Sequence, residues 1–323
     1  MNEFTEEKCE NSLMCSIGSI SRAIECLAKN NANSVKVGFG WDLYRSELDG
    51  CAQVADEAIC DSEYSTEAKN TDGDIVVSVG IVKSPEKQIC EVKFRNLHGS
   101  NLLIYGTDVK SALSTLAIIN HQLCRLGKSV IMVDFFPRSS RETKYLQDVA
   151  KACGMQYADC TSAESVVAQM EDTLNSRIED ACAGKDTTQE PIFLTMAYLQ
   201  GAINMQPDGY RDSEMSLKVQ RILKHGPDYG IHLIVYSYSY RCLQDMVQNS
   251  DGIRYFGYTI SLSGSDRTRD YDIGLGPRRY AVLRRDDAGI AAYKQEFFVA
   301  YNKYADGEAN DPVLDLIFSM FKE

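Results

Sequence analysis

The sequence predicts an α/β protein with a doubly wound, mainly parallel sheet and helices on both faces. From Asp74 onward, strand-like runs alternate with helical runs, which is the order of elements that such a sheet requires. Several strand candidates, such as LLIY at 102–105, are apolar on both faces and must be covered on both sides. The length of 323 residues suits one large domain or two smaller ones.

The N-terminal part has a different texture. Residues 12–29 carry apolar side chains at helical spacing, and 35–41 (VKVGFGW) is typical of a short strand. Residues 42–74 contain many acidic residues but only Arg45 and Lys69 as bases, which predicts a solvated linker or surface excursion. The chain is therefore divided into residues 1–73, a helix with an acidic linker, and residues 74–323, an α/β domain.

The predicted elements of the second part follow from its hydrophobic periodicity. The strand candidates are 75–82, 89–95, 101–105, 129–135, 191–197, 231–237, 255–262, 279–284 and 295–300. The helix candidates are 110–126, 139–152, 162–183, 213–227, 240–249 and 311–322. The last of these is amphipathic, and we expect it to cover the core rather than to bind a membrane or a partner.

Charge and composition exclude several classes of function. The net charge of −12 is the opposite of a broad DNA-binding face, so we expect DNA contact to be indirect or weak. No apolar run is long enough to span a bilayer and the N-terminus is acidic, so we expect a cytoplasmic protein. The 11 cysteines include no C-x-x-C pair, and the four histidines are scattered; this predicts reduced, buried thiols and no metal site.

The turn after strand 101–105 is the first candidate for nucleotide chemistry, because ligands of such sheets bind at the carboxyl ends of strands. A phosphate-binding loop has the pattern G-x-x-x-x-G-K-[ST] there. At that spacing Ser111 replaces the second glycine, Ala112 the lysine and Leu113 the hydroxyl residue. Lys110 and Ser111 can stand in for the last pair only if the loop has lost two residues. On its own, the loop favours an ordinary strand-to-helix turn. The full candidate loop comprises Gly106, Thr107, Asp108, Lys110, Ser111, Ala112 and Leu113.

The strand at 191–197 is the second candidate. A Walker B strand ends in acids that hold Mg²⁺ and orient water. Here the equivalent end is Ala197-Tyr198, and no carboxylate occurs between 191 and 207. Asp134 closes an earlier strand, and we expect it to have a different place in the sheet.

Residues 224–240 (KHGPDYGIHLIVYSYSY) resemble the G-R-A-x-G-I-H-L-I-L-A-T-Q-R-P segment of the FtsK/SpoIIIE (HerA-FtsK) ATPases. Four more segments are similar to this family in the same order, so that the resemblance covers residues 74–301: VGIVKSPEKQ, GSNLLIYG, GSDRTRD and LGPRRYAVL. The closest likeness is to degenerate C-terminal FtsK-like modules of large bacterial motor ATPases, including type VII secretion motors. Those modules lack the lysine and end the I-F-L strand in L-Q.

The resemblance implies a P-loop NTPase fold of the RecA/FtsK type. It places Tyr238 at the family's sensor glutamine and Arg267 at the arginine of its D-S-R-T segment. Arg267 would then act in trans on a neighbouring ATPase, or it pairs with the aspartates interleaved among the nearby arginines. Tyr236, Tyr238 and Tyr240 would either stack on a base or, as we expect, pack at a strand end.

These departures predict a non-hydrolysing scaffold or regulatory module of a DNA-translocase-like motor. Its partners would be a homo- or hetero-oligomeric ATPase ring or neighbouring motor domains, and no cofactor is expected. One alternative is an active DNA translocase domain that binds ATP and Mg²⁺ on the short Gly106–Ser111 loop. Another is a pseudo-ATPase module of a type VII-like secretion motor that binds substrate. Under that alternative, the pocket at the end of strand 191–197 is open and apolar rather than filled by Tyr198 and Tyr238.

Overall fold

The computed structural model describes one sheet of 11 strands, in which a block of parallel strands is extended on one side by antiparallel strands. The described residues are 69–71, 74–82, 89–185, 189–207, 212–239, 243, 255–262, 281–287, 290–299 and 311–321. Within these ranges, no helix is long and apolar enough to cross a bilayer.

Six neighbouring strands run parallel, which confirms the α/β fold class. They are β4 (Leu102–Tyr105), β5 (Ser129–Asp134), β6 (Gln156–Asp159), β7 (Ile192–Ala197), β8 (Ile231–Ser237) and β9 (Tyr258–Ser261). Strand β4 lies between β8 and β9, and β7 lies between β8 and β5. Strands β4, β8 and β9 are buried along their whole length, as their two-faced apolar sequences predict.

The other five strands are antiparallel and extend the sheet beyond β9. They are β1 (Lys69–Thr71), β2 (Asp74–Val82), β3 (Ile89–Phe94), β10 (Ala281–Asp287) and β11 (Ile290–Val299). Strand β10 pairs with β9, and β11 joins β10 to β2. The order across the sheet is β1-β2-β11-β10-β9-β4-β8-β7-β5-β6, with β3 paired to β2. A short connection such as the one between β10 and β11 suits antiparallel pairing, whereas parallel strands need a longer crossover connection, which is usually a helix.

Five helices of the described ranges cover the sheet. They are α1 (Val109–Arg125), α2 (Arg141–Cys153), α3 (Ala163–Cys182), α4 (Glu214–His225) and α5 (Pro312–Phe318), the last continuing as a 3-10 turn at Ser319–Phe321. Side chains of Asp108, Ser140, Ser213 and Asp311 accept hydrogen bonds from backbone N–H groups at the starts of α1, α2, α4 and α5. These residues are the usual N-caps, so the helix starts follow from local sequence.

Two apolar cores lie on opposite faces of the sheet. Helices α1, α2 and α5 contribute to one core, and α3 and α4 contribute to the other. The C-terminal helix and the 3-10 turn after it bury Leu314, Ile317, Phe318 and Met320 in the first core. This confirms that it covers the core.

Two buried residues of the family-like segments lie at the amino ends of the parallel strands, far from the predicted nucleotide edge. Asn101 precedes β4, and its side chain bonds the backbones of Leu223, Leu233 and Tyr255. His232 in β8 bonds the Ser100 carbonyl through Nδ1, and burial lowers its pKa to about 4. Both residues therefore serve the fold.

The structure also departs from the predicted elements. Strand β6 is absent from the prediction, because QYAD is a short edge strand with only one buried position. Lys69–Thr71, assigned to the linker, pairs with β2. The expectation of buried thiols holds for Cys90, whereas Cys124, Cys153 and Cys160 are half-buried and Cys182 is exposed; all five are free thiols. Residues 1–68 and most of the helix predicted at 240–249 lie outside the described residues. The division of the chain at residue 73 therefore stays a prediction.

Candidate functional site

The turn after β4 is tightly packed against two neighbouring strands. Gly106 has φ +140°, and its N–H donates to the Ser237 carbonyl at the end of β8 over 3.2 Å. Its own carbonyl accepts from the Tyr236 hydroxyl at 3.2 Å. A Cβ on Gly106 would lie 2.9 Å from the Leu262 carbonyl oxygen. The amide of this glycine therefore continues the sheet and does not point into an open loop.

The start of α1 is capped by a carboxylate of the chain itself. Only Gly106, Thr107 and Asp108 separate β4 from α1. Asp108 Oδ1 accepts from the Ser111 N–H at 3.2 Å, and Oδ2 accepts from the Ser111 hydroxyl at 2.7 Å. A helix N-terminus favours a negative charge, and a P-loop places phosphate there. In this chain Asp108 provides that negative charge.

The other residues of the candidate loop belong to the helix. Lys110 is exposed on the first turn of α1. Ala112 and Leu113, which stand where a P-loop has its lysine and hydroxyl residue, are fully buried in the core shared by α1, α2 and α5. The structure thus brings the loop residues together as a capped turn, and the side chains of Ala112 and Leu113 form part of the hydrophobic core.

The end of β7 is closed by aromatic packing. Tyr198 has φ 63° and ψ 57°, and it is the one non-glycine residue of positive φ in the described ranges. Its ring stacks on Phe136 with centroids 4.1 Å apart. Such a backbone conformation is unfavourable for a side chain and has to be stabilised by its surroundings. Here Tyr198 occupies the space at the end of β7.

Asp134 is a buried carboxylate at the same edge of the sheet. It ends β5 and not the Walker B candidate β7, as expected, and it lies directly opposite Ala197 in the register of these two strands. Its Oδ1 accepts from the Phe136 N–H and its Oδ2 from the Tyr157 hydroxyl, both at 2.8 Å. Burial raises the pKa of Asp134. The carboxylate is thus engaged by the protein on the face that carries α2.

Tyr238, at the sensor position, follows β8. Its N–H donates to Gln200 Oε1 at 2.9 Å, which ties the turn after β7 to the end of β8. The Tyr238 side chain is 41% exposed, and Ile203 in the turn after β7 is 75% exposed. Sequence reasoning missed the role of Gln200, because nothing in a polar residue within a turn shows which backbone it will meet.

The predicted aromatic run divides between inside and outside. Tyr236 is fully buried, as expected for packing at a strand end, whereas Tyr238 faces outward and Tyr240 lies outside the described residues. Arg267, Arg269, Arg278 and Arg279 also lie outside them, so the in-trans role of Arg267 stays a prediction. No group of three or more potential metal ligands occurs in the described part of the chain.

Comparison with known proteins gives structural matches only. No protein-family model and no curated protein matches the sequence. EssC (ATPases 2 and 3) from Geobacillus thermodenitrificans matches with TM-score 0.52 and 12% identity, over 81% of this chain and 50% of that one. The pCW3 conjugation coupling protein TcpA with ATPγS matches with TM-score 0.54 and 14% identity, over 77% and 71%. The cytoplasmic domain of EssC matches with TM-score 0.51 and 10% identity, over 73% and 44%.

This chain has the fold of the FtsK-like ATPase domains. The fold predicted from the resemblance is thereby confirmed, including the sheet that carries the predicted nucleotide turn on a central strand. The chain spans about half the length of the EssC structure it matches. At these identities the likeness concerns the FtsK-like fold alone.

Proposed function

We propose that this chain is a non-hydrolysing FtsK-like module of a type VII-like secretion motor. The match to EssC, a protein with several ATPase domains, agrees with the sequence resemblance to the FtsK-like modules of type VII secretion motors, and together they favour the secretion motor over a DNA translocase. The match to TcpA, a conjugation coupling protein, keeps the DNA motor as the second candidate. The net charge of −12 argues against a direct grip on DNA.

The capped turn after β4 is the observation that carries the proposal. Three residues are too few to wrap a triphosphate, and the Gly106 N–H is already bound to Ser237. Asp108 places a negative charge at the helix N-terminus, where it would repel a phosphate. An N-cap of this kind stabilises the domain by about 1 kcal/mol, so Asp108 has a structural role that requires no nucleotide.

The carboxylates that catalysis needs are also missing at the end of β7, where the family has its Walker B acids. Phosphoryl transfer depends on positioning and on charge stabilisation by lysine, Mg²⁺ and carboxylates. Ala197 and Tyr198 offer none of these, and the nearby Asp134 already accepts two hydrogen bonds. The module would therefore act through its partners in the motor, such as an ATPase ring or adjoining ATPase domains.

The first prediction concerns nucleotide binding. We expect no saturable binding of a fluorescent ATP analogue up to about 1 mM, with or without Mg²⁺, and no phosphate release above background. The upper concentration is set at about 1 mM because this covers the usual range of substrate affinity. Fluorescence titration and a phosphate assay on the full chain measure both quantities. TcpA, whose structure holds ATPγS, serves as the positive control.

The exposed Lys110 gives a matched variant for the same titration. If the short loop binds nucleotide through Lys110, then Lys110→Ala weakens binding without affecting the core. We expect the variant and the parent to give the same flat titration. Mg²⁺-dependent saturation in the parent that Lys110→Ala abolishes would overturn the proposal in favour of the active ATPase.

The surface formed by Ile203 and Tyr238 is where we propose that the module contacts substrate. Because Tyr198 stacks on Phe136 and closes the end of β7, the contact would lie beside it, where the Tyr238–Gln200 bond ties the turn after β7 to the end of β8. Tyrosine is enriched among the residues that contribute most to binding, and apolar neighbours help to exclude water from such a contact. A peptide with an apolar face suits such an area.

The second prediction tests this surface. We expect Ile203→Asp to weaken the binding of a fluorescent secretion-signal peptide by about tenfold, because a charge in the contact disrupts an apolar anchor. Leu217→Asp is the matched control, since Leu217 is 52% exposed on α4. Fluorescence anisotropy measures both affinities. Equal affinities for the two variants would exclude Ile203 from the contact while leaving the nucleotide result unaffected.

A further inference from the structure

The C-terminal helix α5 is attached to α1 and α2 by a few polar contacts around one carbonyl. The Ile317 carbonyl accepts from the Ser114 hydroxyl of α1 at 3.2 Å and from the Tyr145 hydroxyl of α2. Asp311 caps the helix by accepting from the Val313 N–H at 2.8 Å. The chain between residues 299 and 311 lies outside the described ranges. The contacts of α5 itself show that it packs on the core.

His121 of α1 lies beneath the start of this helix. The residue is 5% exposed, and its Nδ1 lies 3.7 Å from the Cys153 Sγ of α2. Its Nε2 is buried and has no hydrogen-bond partner among the described residues. The nearest acidic atom recorded for Nε2 is Asp311 Oδ2, at 3.8 Å. An imidazole thus connects all three helices at the point where α5 begins.

The groups around His121 determine how it responds to acid. Burial lowers its pKa below the ordinary 6.5, and the effect of burial exceeds the opposing effect of Asp311. Arg125 of α1 lowers the pKa further. On the α2 side, burial raises the pKa of Cys153 to about 12, and that of Cys124 on α1 rises to about 11, so both thiols stay neutral.

We propose that α5 is an acid-sensitive strap, docked over a neutral His121 and held less firmly when that imidazole takes up a proton. A buried imidazolium beside Arg125 is costly, and separation of α5 from α1 and α2 admits the water that solvates it. Release would expose the apolar side chains of Leu314, Ile317 and Phe318, which now lie in the core. The inference rests on the contacts of α5 and is independent of the proposed function.

The direction of the pH dependence follows from linkage. The docked state binds a proton less readily than the undocked state, where His121 returns to about 6.5. Docking is therefore strongest above pH 6.5 and weakens as the pH falls below that value. One pH unit below it corresponds to a weakening of up to about tenfold, since one unit of pKa is tenfold in equilibrium.

Hydrogen exchange of residues 311–321 tests the strap. In the full chain we expect amide protection factors there to fall by up to about tenfold between pH 7.0 and 5.5. His121→Gln, which carries no charge at either pH, should abolish the fall. His225→Gln is the matched control, because His225 lies at the end of α4 on the other face of the sheet. His232, with its pKa near 4, titrates below this interval.

A second variant keeps the test decisive if His121→Gln proves unstable. Asp311→Asn retains the helix cap but removes the carboxylate that raises the pKa of His121. We expect a larger fall in protection for Asp311→Asn than for the parent chain over the same interval. A rise in protection at pH 5.5, or a fall of equal size in His121→Gln, would overturn the inference.

Discussion

Asn101→Leu is expected to destabilise the domain by about 3–6 kcal/mol, because it leaves two buried backbone groups and one part-buried backbone group without partners. Asn101 is fully buried and lies just before β4. Its Nδ2 donates to the Leu223 and Tyr255 carbonyls at 2.9 and 2.8 Å, and its Oδ1 accepts from the Leu233 N–H at 2.8 Å. One side chain therefore joins the end of α4, the start of β8 and the segment before β9.

The size of this effect compares with a total folding free energy of about 5–15 kcal/mol. Urea unfolding followed by circular dichroism measures it. The matched control is Asn120→Leu, since Asn120 is equally buried but only accepts a hydrogen bond from the Thr195 hydroxyl, and its Nδ2 has no partner in the described ranges. We expect a loss of about 1 kcal/mol for Asn120→Leu. Equal losses for the two variants would show that burial alone, and not the bonds of Asn101, sets the cost.

Gly106→Ala is expected to destabilise the domain by about 4 kcal/mol, the sum of backbone strain and overpacking. At φ +140° a Cβ is strained, and it would meet both the Cβ and the carbonyl oxygen of Leu262 at 2.9 Å. The turn cannot easily move, because the Gly106 N–H bonds Ser237 and its carbonyl bonds Tyr236. Thermal unfolding followed by calorimetry measures the effect.

Gly127→Ala is the control for Gly106→Ala. Gly127 also has a positive φ, +71°, but no atom lies within 4 Å of a Cβ there. Only the left-handed strain applies, which costs about 1 kcal/mol. If Gly106→Ala were no worse than Gly127→Ala, the close packing of the turn against Leu262 would be wrong, and so would the view of this turn as closed.

Some residues that carry the sequence resemblance to a nucleotide-binding family have a purely structural role in this chain. Asn101 and His232 are among the residues that make the family visible, yet both lie at the amino ends of the strands and bond backbone groups there. Residues of this kind preserve the packing of a fold independently of its chemistry. A likeness carried by them predicts the architecture well and predicts nucleotide chemistry poorly.

The amino-acid sequence by itself determined the parallel strands, the capped helices and the missing lysine, hydroxyl and acids. Each of these depends on neighbours along the chain: runs of apolar residues, caps at helix starts, and spacing within a motif. The short strand β6 escaped prediction because four residues with one buried position give little local signal.

Only the tertiary structure decided what role is played by the residues that stand at or near the family's catalytic positions. Ala112 and Leu113 became core, Asp108 became the cap, and Asp134 came to lie beside Ala197 from a strand far away in sequence. The approach of His121 Nε2 to Asp311 Oδ2 is likewise a contact between residues 190 positions apart. Such pairs arise when separate elements pack together, so their energies depend on distances that no local pattern contains.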